Sequence, residues 1–242
     1  MRAFLTAEWR HLVMLNYVVE PDLLRAYCPN GVELDTWNDK YYVSMVGFQF
    51  LQTRVCGLCL PWHRDFEEVN LRFYVRRRSA DGWRRGVVFI NEIVPRQLIA
   101  TVARLCYNEP YVAMPMRHAI DMENGQLRNG GAVEYSWRYQ GEWNSLRATV
   151  VGAPQPLTQA SEEEFITEHY WGYTAQPNGE CKEYHVDHPR WNVWQVRDAS
   201  LRCSVASLYG AKFVGPLGVS PASAFVAQGS MVTVGPGVLL SL

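Results

Sequence analysis

The stretch EVNLRFYVR, Glu68–Arg76, alternates without a break. Val69, Leu71, Phe73 and Val75 fall on one face of an extended chain, and Glu68, Asn70, Arg72 and Tyr74 on the other. This is a strand with a dry side and a polar side. In an open antiparallel sheet the polar side is simply the wet one. In a closed barrel it lines the interior, and a carboxyl, an amide and a guanidinium converge on a ligand while the apolar face lies beneath covering helices. Which of the two the chain builds decides what Glu68, Asn70 and Arg72 are for.

The same alternation recurs in YYVSMVGFQF (41–50), VEYSWRYQ (133–140) and WNVWQV (191–196). Turn residues punctuate the runs at Pro29-Asn30-Gly31, Asp81-Gly82, Asn124-Gly125 and Gly130-Gly131. Three short helices are predicted. PDLLRAY (21–27) opens on Pro21. PRQLIATVARLCY (95–107) spaces Leu98, Ile99, Val102 and Cys106 helically, with Pro95 as its first residue. SEEEFITEHYWG (161–172) carries a capping box of Ser161 and Glu164, with Gly172 as its stop. With no internal repeat or long linker, residues 1–242 are expected to form one α+β domain, mainly antiparallel β-sheet with a few flanking helices.

Of 242 residues, 48% are hydrophobic and 19% charged, enough to bury a sizeable core. The net charge of −1 provides no global field for nucleic acid or acidic lipid. Glu8, Arg10 and His11 interrupt what would be the apolar core of a signal peptide, and no apolar run reaches membrane-spanning length. A cytoplasmic protein with six free thiols is the expectation, with no nucleic-acid or membrane partner. Lysine is scarce: Lys40, Lys182 and Lys212 are the whole set. Arginine, which dominates the cations, cannot serve as an amine nucleophile.

Arg96 follows Pro95 where a strand gives way to a helix, so it is expected in the first helical turn, where the backbone is already positive. A cation there calls for an anion: Glu92 from the preceding strand, a neighbouring surface acid, or a ligand carboxylate or phosphate. His185 and His188 are three apart and face opposite sides of a strand, and CGLC (56–59) is a lone CxxC, so no metal or redox site is expected. RRRSADGWRRG (76–86) gathers five arginines around Trp83 in a hairpin, which reads as a nucleic-acid patch or, better, as a solvated end with acidic partners.

Residues 8–50, EWRHLVMLNYVVEPDLLRAYCPNGVELDTWNDKYYVSMVGFQF, resemble the opening of the acetoacetate-decarboxylase-like superfamily. The shared order is a strand, a short helix with Leu-Arg, a Pro turn, and G-x-E-L-D before the next strand. FEEVNLRFYVR, EIVPRQLIATVARLCYNEPY, FITEHYWGY, VDHPRW and SAFVAQGS are similar to a bacterial branch of it, the YqjF-like proteins. The resemblance implies a cone-shaped, closed antiparallel β-barrel around a buried pocket, no cofactor, and a common tendency toward homo-oligomers. In the decarboxylases a lysine just after a proline forms an imine with a β-keto acid. Matched on Pro95, that lysine falls at Arg96 and its neighbour at Gln97, the pocket arginine at Arg10, and a pocket glutamate at Glu68. The resemblance thus implies a retained cavity whose nucleophile is replaced by a guanidinium, which cannot form an imine.

The expected function is therefore a pocket for a small anionic carboxylate or enolisable carbonyl compound. Glu68 and Arg96 would be catalytic, with Arg10, Asn70, Arg72, Gln97 and Glu92 holding the ligand. The same residues would equally suit a non-catalytic binding protein, and a Schiff base would need Lys182 or Lys212 in place of the lost lysine.

Overall fold

The computed structural model describes residues 3–59 and 61–240. The first half comprises β1 (Leu5–Val19), α1 (Pro21–Arg25), β2 (Glu33–Leu34), β3 (Tyr41–Val55), β4 (Phe66–Ser79) and β5 (Gly82–Val94). Helix α2 (Gln97–Tyr107) leads to β6 (Tyr111–Ala113), then β7 (Met116–Ile120) and the small hairpin β8 (Met122–Glu123) and β9 (Gln126–Leu127). Next come β10 (Ala132–Tyr139), β11 (Glu142–Gln155), α3 (Glu162–Thr167), β12 (Trp171–Ala175), β13 (Cys181–Asp187) and β14 (Val193–Arg202). Helices α4 (Val205–Tyr209) and α5 (Val214–Leu217) precede β15 (Ser223–Val234) and β16 (Val238–Leu239). The predicted first three helices are present; α4 and α5, with their few short turns, gave no periodic signal.

One sheet of fourteen strands runs in the order β16-β13-β12-β5-β4-β3-β1-β15-β14-β11-β10-β7, with β2 beside β4 and β6 beside β5. All its pairings are antiparallel except β12–β5 and β5–β6. This corrects the expected closed barrel: the sheet ends at β16 and β7 and does not close. Strand β13 also meets β15, through two residue pairs, Val186–Val234 and Asp187–Thr233. The physical reason lies in the second half. β14, β11, β10 and β7 lay their apolar side over the outer face of the first half instead of continuing round it. Val69, Leu71, Phe73 and Val75 are buried against Tyr135, Trp137 and Leu146 from this layer, and against Leu24, Tyr209 and Phe213 from the helices. The layers approach closely at Gly47, where a Cβ would come within 2.8 Å of the Tyr135 ring.

The opposite face of β1, β3, β4 and β5 carries a second apolar cluster that includes Leu12, Val46, Phe48, Phe50 and Phe66. Glu68, Asn70 and Arg72 lie among these residues. Two local readings also change. Arg96 is the N-cap of α2, with extended backbone, so Pro95 lies outside the helix. α3 ends at Thr167, and Gly172 sits in β12. Ser161 does cap the Glu164 amide at 3.1 Å, while the Glu164 carboxylate reaches the amide of Ala160 at 2.6 Å.

Candidate functional site

Register brings the polar wall together. On β4, Glu68, Asn70 and Arg72 share a face, and across from them on β3 stand Phe48, Val46 and Ser44. Asn70 pairs with Glu92 on β5. A bulge between Leu71 and Arg72 of this ladder shifts the phase of β5, so Val87 and Phe89 face inward before it and Glu92 and Val94 after it. Helix α2 then crosses over and returns the chain parallel to β5, setting Tyr111 beside Glu92. Tyr184 on β13 lies over Gly172, where any Cβ would fall 2.0 Å from its ring. Only glycine permits that approach. Glu68, Asn70, Arg72, Glu92, Tyr111 and Tyr184 line a cavity of about 180 Å³, covered by Leu98, Ile99 and Val102 of α2, by Thr167 at the end of α3 and by His169 just past it.

Three carboxyls face this space: Glu68 and Glu92, each 2% exposed, and Glu109, 4%. Glu68 accepts from Asn70 Nδ2 at 2.9 Å and from the Tyr111 hydroxyl at 2.8 Å. Glu109 accepts from the Tyr184 hydroxyl at 2.8 Å. Burial pushes Glu68 up to about 7, against the bonds from Asn70 and Tyr111 and the charge of Arg72. Burial and the neighbouring Glu68 push Glu109 up to about 8. Glu92 is held well above the usual range by burial and by Glu109 and Glu68. At neutral pH the cluster is thus largely protonated. Its tyrosines stay neutral and donate.

Several polar atoms in this wall have no hydrogen-bond partner among the described residues: Glu92 Oε2, Asn70 Oδ1 and Arg72 Nε. Among the described residues Arg72 hydrogen-bonds only the Ile166 carbonyl, at 3.2 Å. His169 lies 3.7 Å from Asp35, and burial brings its imidazole down to about 4, so it is neutral. His188 stacks on Trp191 at 4.1 Å and is likewise lowered by burial. Buried polar groups are normally paired, so these free donors and acceptors can take up water or a small polar molecule in the cavity. Among the described residues no group of His, Cys, Asp or Glu is arranged to hold a metal ion.

The structure brings together four of the seven expected residues, Glu68, Asn70, Arg72 and Glu92, on the cavity wall. The other three lie elsewhere. A register irregularity in β1 at His11, whose φ is +54°, lets both Trp9 and Leu12 line the cavity and leaves Arg10 on the other side. Arg10 pairs there with Glu8 at 3.0 Å. Arg96 and Gln97 are exposed at the start of α2. Glu109, Tyr111, Tyr184, His169 and His188 were not anticipated. Glu109 and Tyr111 flank Pro110 just past a helix, which is the signal a crossover reading would have used. Lys182 and Lys212 do not line the cavity, and His185 is exposed. All six cysteines are free thiols, with Cys56 and Cys59 exposed. The hairpin arginines are engaged by acids or stacked on Trp83. No helix among the described residues is long and apolar enough to cross a membrane.

Comparison with known proteins places this arrangement. The model of the family DUF2071, described as an uncharacterized conserved protein, matches residues 6–231. "Uncharacterized protein YqjF" of Bacillus subtilis (strain 168) is 28% identical over 210 residues, covering 84% of this chain and 79% of the relative. Among solved structures, the enduracididine biosynthesis enzyme MppR complexed with pyruvate superposes with a TM-score of 0.71 at 16% identity, covering 100% of this chain and 92% of the other. Acetoacetate decarboxylase from Legionella pneumophila subsp. pneumophila str. Philadelphia 1 superposes with a TM-score of 0.66 at 12% identity, over 98% and 87% of the two chains. At these identities the likeness is one of fold.

Proposed function

We propose, on the premise that this chain belongs to the DUF2071 family, that its cavity binds a small carboxylate bearing an enolisable carbonyl and moves a proton on it. The observation that carries this is the trio of buried carboxyls, Glu68, Glu92 and Glu109, around a space that also holds the unpartnered Nε of Arg72. Arg72, one of the residues expected to hold the ligand, anchors the carboxylate. Glu68, poised near neutrality, takes the proton from the carbon next to the carbonyl. The electron pair moves onto the carbonyl oxygen. Glu92, kept as the neutral acid, donates to the developing oxyanion from an otherwise unpartnered oxygen. Returning the proton to the same carbon gives exchange; delivery elsewhere gives isomerisation. A fold shared with an enzyme that holds pyruvate supports this ligand class.

The test is incubation with pyruvate in D₂O, following loss of the methyl proton signal by NMR, with affinity measured by calorimetry. Exchange is expected to rise as pH passes through about 7, where Glu68 loses its proton. Glu68→Gln abolishes it while binding persists, and Arg72→Met weakens binding by about tenfold or more. Binding without exchange leaves a non-catalytic ligand-binding protein. If neither pyruvate nor acetoacetate binds at millimolar concentration, the proposal falls.

A further inference from the structure

The cavity changes character along its strands. Read backward from Arg72, the inward face of β4 presents a guanidinium, an amide, a carboxyl and then the Phe66 ring, each two-residue step advancing ~6.8 Å. β3 runs beside it with Phe48 opposite Glu68 and Phe50 opposite Phe66. Phe50 stacks on Phe66 with ring centres 4.7 Å apart, and Trp9 meets Phe48 and Phe50 edge-on at 5.2 and 5.7 Å. Leu98 of α2 reaches the same space and is 47% exposed, and Leu58, 68% exposed, marks the way out to solvent. An aromatic collar thus lies between the polar wall and the mouth.

A carboxylate on Arg72 with its reacting carbon at Glu68 leaves the rest of the ligand directed at this collar. We infer that the ligand is a 2-oxo acid carrying an aryl or similarly large apolar substituent, and that Trp9, Phe48, Phe50 and Phe66 determine specificity by enclosing it. This rests on the function proposed above. Pyruvate is too short to reach from Arg72 into the collar, so it makes the polar contacts alone. A ring in the collar removes apolar surface from water on both partners and meets the aromatic edges and faces already arranged there.

Calorimetry with pyruvate and phenylpyruvate tests the inference. Wild-type protein is expected to bind phenylpyruvate about 30-fold more tightly than pyruvate. Phe50→Ala should weaken phenylpyruvate about tenfold more than it weakens pyruvate. Leu98→Ala, on a half-exposed helix position where folding is not at risk, should narrow the preference about threefold. Equal affinity for the two acids, or a preference that neither variant alters, overturns the collar. If pyruvate still binds in an Arg72-dependent way in that event, the proposed function stands without it. If neither acid binds in an Arg72-dependent way, both fall together.

Discussion

The buried acids beneath the arginine hairpin and the buried acids around the cavity are equally dry and are given opposite kinds of partner. Glu183 is 6% exposed and receives Arg84 at 2.6 Å, Arg77 at 3.2 Å and the Tyr173 hydroxyl at 2.9 Å. Asp35, 4% exposed, receives Arg85 at 2.7 Å; burial pushes its carboxyl up, but His169 and Arg85 outweigh it and bring the group down to about 2. Glu68, Glu92 and Glu109 are as deeply buried, yet the donors to Glu68 and Glu109 are neutral tyrosines and an asparagine. There burial wins and the acids rise. Depth alone therefore says little about charge; the partner decides. Asp35, clamped by a guanidinium, is held ionised, whereas Glu68 and Glu109, given neutral donors, keep an exchangeable proton.

Removing an acid from each region has the largest expected effect. Glu183→Ala strands two guanidinium groups and is expected to cost roughly 3 kcal/mol of unfolding free energy in urea. Glu92→Gln replaces a side chain already neutral at pH 7 and should stay within about 1 kcal/mol of wild type. A Glu183→Ala protein as stable as wild type would erase the distinction.

Titration separates the regions with a smaller, signed effect. Between about pH 4.5 and about 8 the unfolded chain has released the Glu109 proton and the folded chain has not. Stability from this group is full below that window, falls as pH rises through it, and levels off above. Asp35 has the opposite sign: its contribution is present above 3.8 and lost as pH falls toward about 2. Glu109→Gln should remove a slope of about 1.4 kcal/mol per pH unit, seen as a flatter dependence of Tm on pH from 5 to 8. An unaltered slope would mean that Glu109 is ionised in the folded protein.

The cavity wall was legible because alternation is local. Val69 through Val75 and Glu68 through Arg72 sort onto two faces by period alone, and the structure keeps that sorting while burying both faces. Closure was not legible, since the same alternation serves an open sheet, and what covers the apolar face is a layer of β10 and β11 distant in sequence. The bulges were equally silent. The one on the β4–β5 ladder turns Glu92 inward, and the irregularity at His11, a non-glycine in the left-handed region, turns Arg10 outward. Matching a family position by position carries a residue along the chain but not across a change of phase, which is how Arg10 was assigned to the pocket. Tyr184 needed the β12–β13 register and the missing side chain of Gly172.

Arg96 tests the comparison with the smallest change. It resembles neither region: it is exposed at the N-cap of α2, it does not line the cavity, and its charge is felt by Glu67, which faces away from Glu68. A cation at a helix N-terminus is mildly unfavourable for the helix, so Arg96→Ala should leave stability within about 0.5 kcal/mol. Affinity for pyruvate should change less than about twofold, because the charge on the ligand is met by Arg72 deeper in the wall. A tenfold loss measured by calorimetry would transfer the anchoring role to Arg96. The start of α2 would then have to swing its N-cap over the cavity when ligand binds, and the buried wall alone would no longer define the site.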